Sequence, residues 1–170
     1  NAGVGATFDL FQLVAHAAAD LELRVQSRHA ALVRRERRVQ HLHGDASARG
    51  SVRAILDELA ETTRETVNLG VLSGESVVYV DQVTGTRSIV SVSWVGQRTP
   101  LHCTSNGKVL LAYASEAERD RMLSSAPLTR LTPRTITDVR KLRAQLSEIR
   151  ARGYAQTMEE LEEGLNAVAA

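Results

Sequence analysis

A short polar run between residues 104 and 107 has the residue types to bind an anion. Thr104, Ser105, Asn106 and Gly107 open a stretch that predicts a helix as far as Ala114. The first turn of a helix has backbone N–H groups without intrahelical acceptors and the positive end of the helix dipole, which favours a carboxylate by about 0.3–1 kcal/mol per interaction. The hydroxyl and amide side chains could add directed hydrogen bonds. The run therefore predicts a site for a small organic acid, although the same residues are also typical of a simple helix cap.

An apolar wall for this site is predicted just upstream. Val90, Val92 and Trp94 alternate with serines in the segment 88–94, which is typical of a half-buried antiparallel strand. Its apolar face could line a ligand cavity. A tryptophan in such a strand is, however, more often part of the core.

Other reactive side chains form weaker patterns. His102 lies beside Cys103, but two adjacent ligands cannot hold one metal well and no third histidine or cysteine is near in sequence. We expect His102 to hydrogen-bond its loop, and we keep a small hydrolase or thiol enzyme using this pair as an alternative. His41 and His43 are predicted to be surface residues, and the glutamates in 159–163 a solvated face rather than an acid/base pair. The sequence thus predicts no catalytic residue, no metal and no cofactor.

Composition excludes several classes of protein. The 170 residues carry a net charge of +1, with 43% hydrophobic and 24% charged residues, so there is no chain-wide electrostatic case for nucleic acid or membrane binding. A single cysteine cannot form an intrachain disulfide, and no stretch has the roughly 18 apolar residues of a membrane span. We expect a soluble protein of the reducing cytoplasm, without a signal peptide or a membrane partner.

After residue 50, strand and helix patterns follow each other in an order typical of an α+β domain. Ser51 is predicted to cap the first of these helices, Asp138 to cap a later one, and Gly153 to end that later helix. An antiparallel sheet with helices packed on it is therefore predicted. The predicted helices cover 51–61, 107–114, 116–123 and 138–152; the strands are 66–72 and 76–83, joined by a turn at 73–75, then 88–94, 154–158 and one opening within 164–170; and 96–107 is a loop.

Residues 1–50 are predicted to form a separate helical segment for linkage or dimerisation. A helical period runs from Phe8 to about Gln40, and its apolar stripe from Leu10 to Val25 needs a partner, which we expect to be a second copy of the chain. Six arginines between residues 24 and 38 could contact DNA phosphates or form the solvated face of this helix. A glycine-containing connector at 44–50 separates the segment from a second domain, 51–170.

Five ordered blocks of the second domain resemble one known family. The most recognisable is the run RTPLHCTSNGKVLLA at 98–112. It is preceded by LDELAETT with ETVNL at 56–69 and by VYVD at 78–81, and it is followed by LTPRTI at 131–136 and by RGY at 152–154 with two glutamates and Gly164 beyond. Together these blocks resemble the effector-binding domain of IclR-type transcriptional regulators.

The resemblance implies a GAF/profilin-like effector domain that binds a small, anionic metabolite. It also implies a homodimer or tetramer and DNA binding through a winged-helix module that is not evident in residues 1–50. Because the family domain continues beyond the position of Ala170, we expect a piece of a longer regulator, with the effector domain shortened at its C-terminus. A purely structural oligomerisation module is the remaining alternative. The pocket positions carried over from the family are Ser88, Thr99, Ser105, Asn106, Thr157 and Ala167.

Overall fold

The computed structural model describes residues 29–33, 46–86 and 93–170. Within these ranges the chain forms six strands and four helices. In chain order the elements are β1 (His29–Val33), α1 (Ala46–Thr63), β2 (Thr66–Ser73), β3 (Ser76–Val83), β4 (Arg98–Pro100), α2 (Ser105–Tyr113), α3 (Glu116–Ser125), α4 (Val139–Arg152), β5 (Ala155–Met158) and β6 (Asn166–Ala169).

The strands form one six-stranded sheet in the order β4-β3-β2-β1-β6-β5. Neighbours β2 and β3, β3 and β4, and β5 and β6 pair antiparallel. The central strand β1 pairs parallel with both β2 and β6, so that His29 lies opposite Thr66 on one side and Ala167 on the other. The sheet is therefore mixed, and β1 joins its two antiparallel halves.

The hairpin of β2 and β3 confirms the prediction made from two segments rich in Val, Leu and Tyr that are separated by the turn at 73–75. Its two-residue loop begins with Gly74, whose φ of 62° suits the first position of a tight hairpin turn. The register runs from Ser73 opposite Ser76 to Val67 opposite Val83, with a shift between Leu69 and Gly70. This irregularity lies where β2 passes beneath the start of α2.

Opposite faces of β2 pack against different helices. Val67 and Leu69 join a cluster with Leu56 and Leu59 of α1. The other side of the sheet is covered by α2, which is buried from Ser105 to Ala112 and packs against α4. Since side chains alternate along a strand, Asn68 and Gly70 belong to the α2 side.

The helix ends follow local capping rules. Asp138 accepts hydrogen bonds from the Arg140 and Lys141 backbone N–H groups at 2.7 and 3.2 Å, and Gly153 ends α4 with a left-handed φ of 90°. Both confirm predictions. No helix within the described ranges combines the length and apolar character needed to cross a membrane.

Three sequence predictions were wrong in part. His29–Val33 is a strand, although the predicted helix ran through it, because the run HAALV is a short apolar stretch whose periodicity cannot distinguish a buried strand from a helix. α1 begins at Ala46, so Ser51 lies within the helix and does not cap it. The predicted loop 96–107 contains β4.

Several predictions lie outside the described residues. These include the rest of the N-terminal helix, the apolar stripe, most of the arginine cluster, His41, His43 and most of the strand 88–94. The division into domains 1–50 and 51–170 stays a prediction.

Candidate functional site

The start of α2 is held by a single capping residue. Thr104 is extended (φ −117°, ψ 145°), and its hydroxyl oxygen accepts a hydrogen bond from the Gly107 N–H at 3.1 Å and donates to the Pro100 carbonyl at 2.8 Å. The Lys108 N–H is satisfied by the Thr104 carbonyl at 2.9 Å. The backbone N–H groups of Ser105 and Asn106 have no hydrogen-bond acceptor among the described residues. Two donors at the positive end of the helix are thus left for a ligand.

Gly107 allows the chain to reach this geometry. A Cβ atom at this position would lie 2.3 Å from the Leu101 carbonyl oxygen, so any other residue would push the helix away from the preceding turn. Gly107 therefore positions the helix start but does not line the cavity described next.

Ser105 and Asn106, the two residues with these amides, both line a cavity. The centre of a water-sized sphere can reach about 30 Å³ of it, and the surrounding atom-free space of about 420 Å³ includes open solvent. Its floor is the α2 side of the sheet, and its walls are the start of α2 and the β5–β6 loop. The lining residues are Asn68, Tyr79, Trp94, Cys103, Thr104, Ser105, Asn106, Thr157, Leu161, Leu165 and Ala167.

Two buried asparagines give the cavity its polarity. Asn106 is 0% exposed and Asn68 is 4% exposed. Both amide atoms of Asn106, and the Oδ1 atom of Asn68, have no hydrogen-bond partner among the described residues. A buried unpaired amide costs roughly 1–3 kcal/mol, so these side chains are unfavourable for folding unless something in the cavity pairs with them.

Gly70 makes room for the Asn106 side chain. A Cβ atom on Gly70 would clash with the Asn106 side-chain amide nitrogen and with Val77 Cγ1. The sheet is therefore open at the one position where the asparagine amide lies against it. This arrangement places the carboxamide between β2 and the helix start.

Aromatic rings form the apolar part of the wall. The Tyr79 and Trp94 ring centroids are 5.7 Å apart with a tilt of 60°. Desolvation is the main cause that raises the pKa of Tyr79, so its hydroxyl stays neutral. Trp94 also packs against the main core cluster, so its ring both lines the cavity and belongs to the core.

A buried ion pair anchors the β5–β6 loop beside the cavity. The Lys108 ammonium, 0% exposed, contacts the Glu160 carboxylate at 2.5 Å. The Thr132 and Thr135 hydroxyls donate to the Glu159 and Glu160 carbonyls at 2.6 and 2.7 Å. Desolvation lowers the pKa of Lys108, while the Glu160 carboxylate opposes that shift. The predicted solvated face is thus wrong for Glu160, which is buried and fixes the loop that carries Leu161 and Leu165.

The His102 and Cys103 pair is arranged as packing rather than as a catalytic dyad. His102 Nε2 lies 3.0 Å from the Thr129 carbonyl, and desolvation is the largest cause lowering its pKa. Cys103 is 0% exposed, and burial raises the pKa of its thiol to about 12. A thiol nucleophile requires the opposite shift. Across the described ranges, no group of three His, Cys, Asp or Glu side chains could hold a metal ion.

The structure brings together six of the eleven predicted site residues. Trp94, Thr104, Ser105, Asn106, Thr157 and Ala167 line the cavity. Thr99 is buried in β4 opposite Val77 and does not line it, and Gly107 lies behind the helix start. Ser88, Val90 and Val92 lie outside the described residues.

Sequence reasoning missed five lining residues. Asn68 had one usable signal, because a polar amide inside the otherwise apolar strand TVNLGV is unusual for a buried position. Tyr79, Leu161 and Leu165 gave no signal beyond apolar character, and Cys103 was considered only as a nucleophile. Their place in the site depends on register and on the loop path.

A mixed sheet with helices on both faces and a concave, partly apolar cavity defines an α+β domain of the kind that binds small molecules. Residues 42–170 match the family described as "Bacterial transcriptional regulator IclR C-terminal". The chain belongs to this family, which confirms the resemblance and the predicted fold class.

Individual relatives agree with this assignment. The HTH-type transcriptional regulator XynR of Escherichia coli is 36% identical over 126 residues, which are 74% of this chain and 50% of XynR. The crystal structure of the C-terminal domain of E. coli KdgR has a TM-score of 0.62 at 36% identity and covers 70% of this chain and 68% of that one. The chain spans about half the length of the curated relatives it matches.

A third relative was solved with a ligand. The inducer-binding domain of a PobR transcription factor double mutant from Acinetobacter, in complex with 3-hydroxybenzoic acid, has a TM-score of 0.64 at 32% identity and covers 70% of each chain. The described part of this chain thus has the fold of an effector domain from a transcriptional regulator.

Proposed function

We propose that this chain is the sensor part of a transcriptional regulator and binds a small organic acid at the start of α2. The observation that carries the proposal is the pair of Ser105 and Asn106 backbone N–H groups, which belong to residues that line a cavity and have no acceptor among the described residues. These donors and the helix dipole would stabilise a carboxylate, while Tyr79 and Trp94 would cover its apolar body.

The remaining parts of the proposal concern the complete protein. The bound state would be passed to a winged-helix DNA-binding module, and the regulator would work as a homodimer or tetramer in the cytoplasm. The names of the relatives support a role in transcription. No covalent chemistry is assigned to the site, since the elevated pKa of Cys103 opposes the thiol-enzyme alternative.

A thermal-shift panel tests ligand binding. Aromatic and aliphatic carboxylates at millimolar concentration are compared with their neutral primary amides, which keep the shape but lose the charge. The proposal expects at least one carboxylate to raise Tm more than its amide does; at 100 times its Kd, a ligand adds about 2.7 kcal/mol of stability. If no carboxylate in the panel stabilises the protein, the site is not an acid receptor.

One further experiment addresses the alternative of a purely structural oligomerisation module. Deleting residues 1–28, which leaves the central strand β1 in place, and measuring the size of the product tests where the oligomer is formed. Loss of the oligomer with ligand binding retained favours a sensor joined to a dimerisation segment. Loss of the oligomer in a chain that never bound any acid favours a purely structural module.

A further inference from the structure

The cavity contains more hydrogen-bonding capacity than a carboxylate can use. Among the described residues that line it, the buried side-chain atoms without a hydrogen-bond partner are Asn68 Oδ1 and the Oδ1 and Nδ2 atoms of Asn106. Two of the three are acceptors. A carboxylate has only acceptors, so it could pair with the side-chain amide nitrogen of Asn106 but not with the side-chain carbonyl oxygen of Asn68 or of Asn106.

The balance of donors and acceptors does not depend on how the Asn106 amide is oriented. Rotating it by 180° exchanges its oxygen and nitrogen but leaves one acceptor and one donor group facing the same space. Asn68 adds an unpaired Oδ1 atom from β2, and rotating that amide as well would exchange this acceptor for a donor but leave the Asn106 acceptor in place. The missing Cβ of Gly70 leaves room for the Asn106 amide against that strand. The two asparagines thus form a polar end of the cavity that needs a hydrogen-bond donor.

We propose that Asn68 and Asn106 bind a hydroxyl group of the ligand, so that the site selects hydroxy acids over unsubstituted and oxo acids. A hydroxyl donates one hydrogen bond and accepts others, so it can pair with one side-chain carbonyl oxygen and one side-chain N–H group of the two asparagines. This inference rests on the proposed function, because it assumes that the ligand's carboxylate is held by the helix start. It adds a second anchor, and it names the residues that determine specificity.

The test compares ligands that differ only in this group. One series contains 3- and 4-hydroxybenzoate, benzoate and 4-methoxybenzoate; a second contains lactate, propionate and pyruvate. In the series that binds, calorimetry is expected to give the hydroxy acid a Kd at least roughly tenfold lower than its unsubstituted analogue. The methoxy and oxo acids, which accept but do not donate, are expected to group with the unsubstituted acid.

Variants assign the preference to the two side chains. Asn106→Leu and Asn68→Val replace the amides with apolar groups of similar size and are expected to abolish the preference while benzoate or propionate still binds. Asn166→Leu is the matched control, because Asn166 is a buried asparagine of β6 that does not line the cavity. This variant is expected to keep the preference. The Tm of ligand-free Asn106→Leu should equal or exceed that of the unmodified protein, because an unpaired amide is removed.

Each outcome decides between the two proposals. If acids bind with equal Kd whether or not they carry a hydroxyl, the inference on Asn68 and Asn106 is overturned while the acid-binding site stands. If the preference survives in both cavity variants, it arises elsewhere and the assignment is wrong. If no acid of either series binds, both proposals fail together. A clear fall in the Tm of ligand-free Asn106→Leu would mean that the amide has a structural role and would also overturn the inference.

Discussion

Replacing Ser105 with proline tests the anion site with little disturbance of the fold. Ser105 is the first residue of α2, where proline is well tolerated because the N–H it removes has no intrahelical acceptor. Thr104 before it already has the extended conformation (φ −117°, ψ 145°) that a residue preceding proline prefers. The substitution therefore breaks no hydrogen bond within the described protein and removes one of the two N–H groups assigned to the ligand.

The expected loss of affinity follows from the bond that is removed. A hydrogen bond to a charged group contributes about 1.5–3 kcal/mol, which corresponds to a Kd roughly 10 to 150 times higher for the acid. The Kd of the neutral amide of the same ligand should rise less, since only the charged ligand loses a charge-assisted bond. Isothermal calorimetry with the acid found by the panel measures both values.

Two matched variants separate the amide from other effects of the substitution. Ser105→Ala removes the hydroxyl but keeps the N–H, and is expected to bind the acid within a few-fold of the unmodified protein. Glu116→Pro places a proline at the first position of the exposed helix α3, after Ser115 at φ −60° and ψ 156°, and should not affect binding. If folded Ser105→Pro binds the acid as tightly as the unmodified protein, the backbone at the start of α2 does not hold the carboxylate.

Three further predictions concern groups around the site and at a helix end. Iodoacetamide should label Cys103 in the native protein at pH 8 far more slowly than after unfolding, because a pKa of about 12 leaves roughly one thiol in ten thousand as the reactive thiolate. Labelling of the native protein at the unfolded rate would show that the thiol is accessible and would contradict the prediction. Lys108→Met leaves the Glu160 carboxylate buried without its partner, so urea unfolding should show a free energy of unfolding lower by about 3–5 kcal/mol. The double variant with Glu160→Gln should regain part of this loss. A single variant as stable as the unmodified protein would show that the buried ion pair does not stabilise the fold. The pKa of Asp138 is lowered, chiefly by the hydrogen bond that its carboxylate accepts from the Lys141 backbone N–H, so the cap stabilises the fold above the unfolded pKa near 4 and this stability is lost as pH falls through the folded pKa. Asp138→Asn should remove this part of the pH dependence of the free energy of unfolding. An unchanged pH profile would contradict the prediction.

Local chemistry made parts of the fold predictable. The Gly74 turn, the Asp138 cap and the Gly153 stop each depend on residues close in sequence, and the structure has all three as expected. The start of α2 was predictable for the same reason. β1 was not, because five residues with two adjacent alanines carry no period that separates a central strand from a helix, and only pairing with β2 and β6 defines it.

The candidate site was less predictable than the fold because its polar residues come from elements that lie far apart in the sequence. Asn106 could be chosen from its place at a helix start, but Asn68 reaches the same cavity only because side chains alternate along β2 and the odd-numbered neighbours Val67 and Leu69 turn to α1. A shift of one residue in that strand would bury Asn68 against α1 and present leucine to the ligand instead. Gly70 and the β2 register are therefore as much a part of the site's chemistry as the amides themselves, and a substitution at Gly70 should change ligand preference by moving Asn106 without touching the ligand.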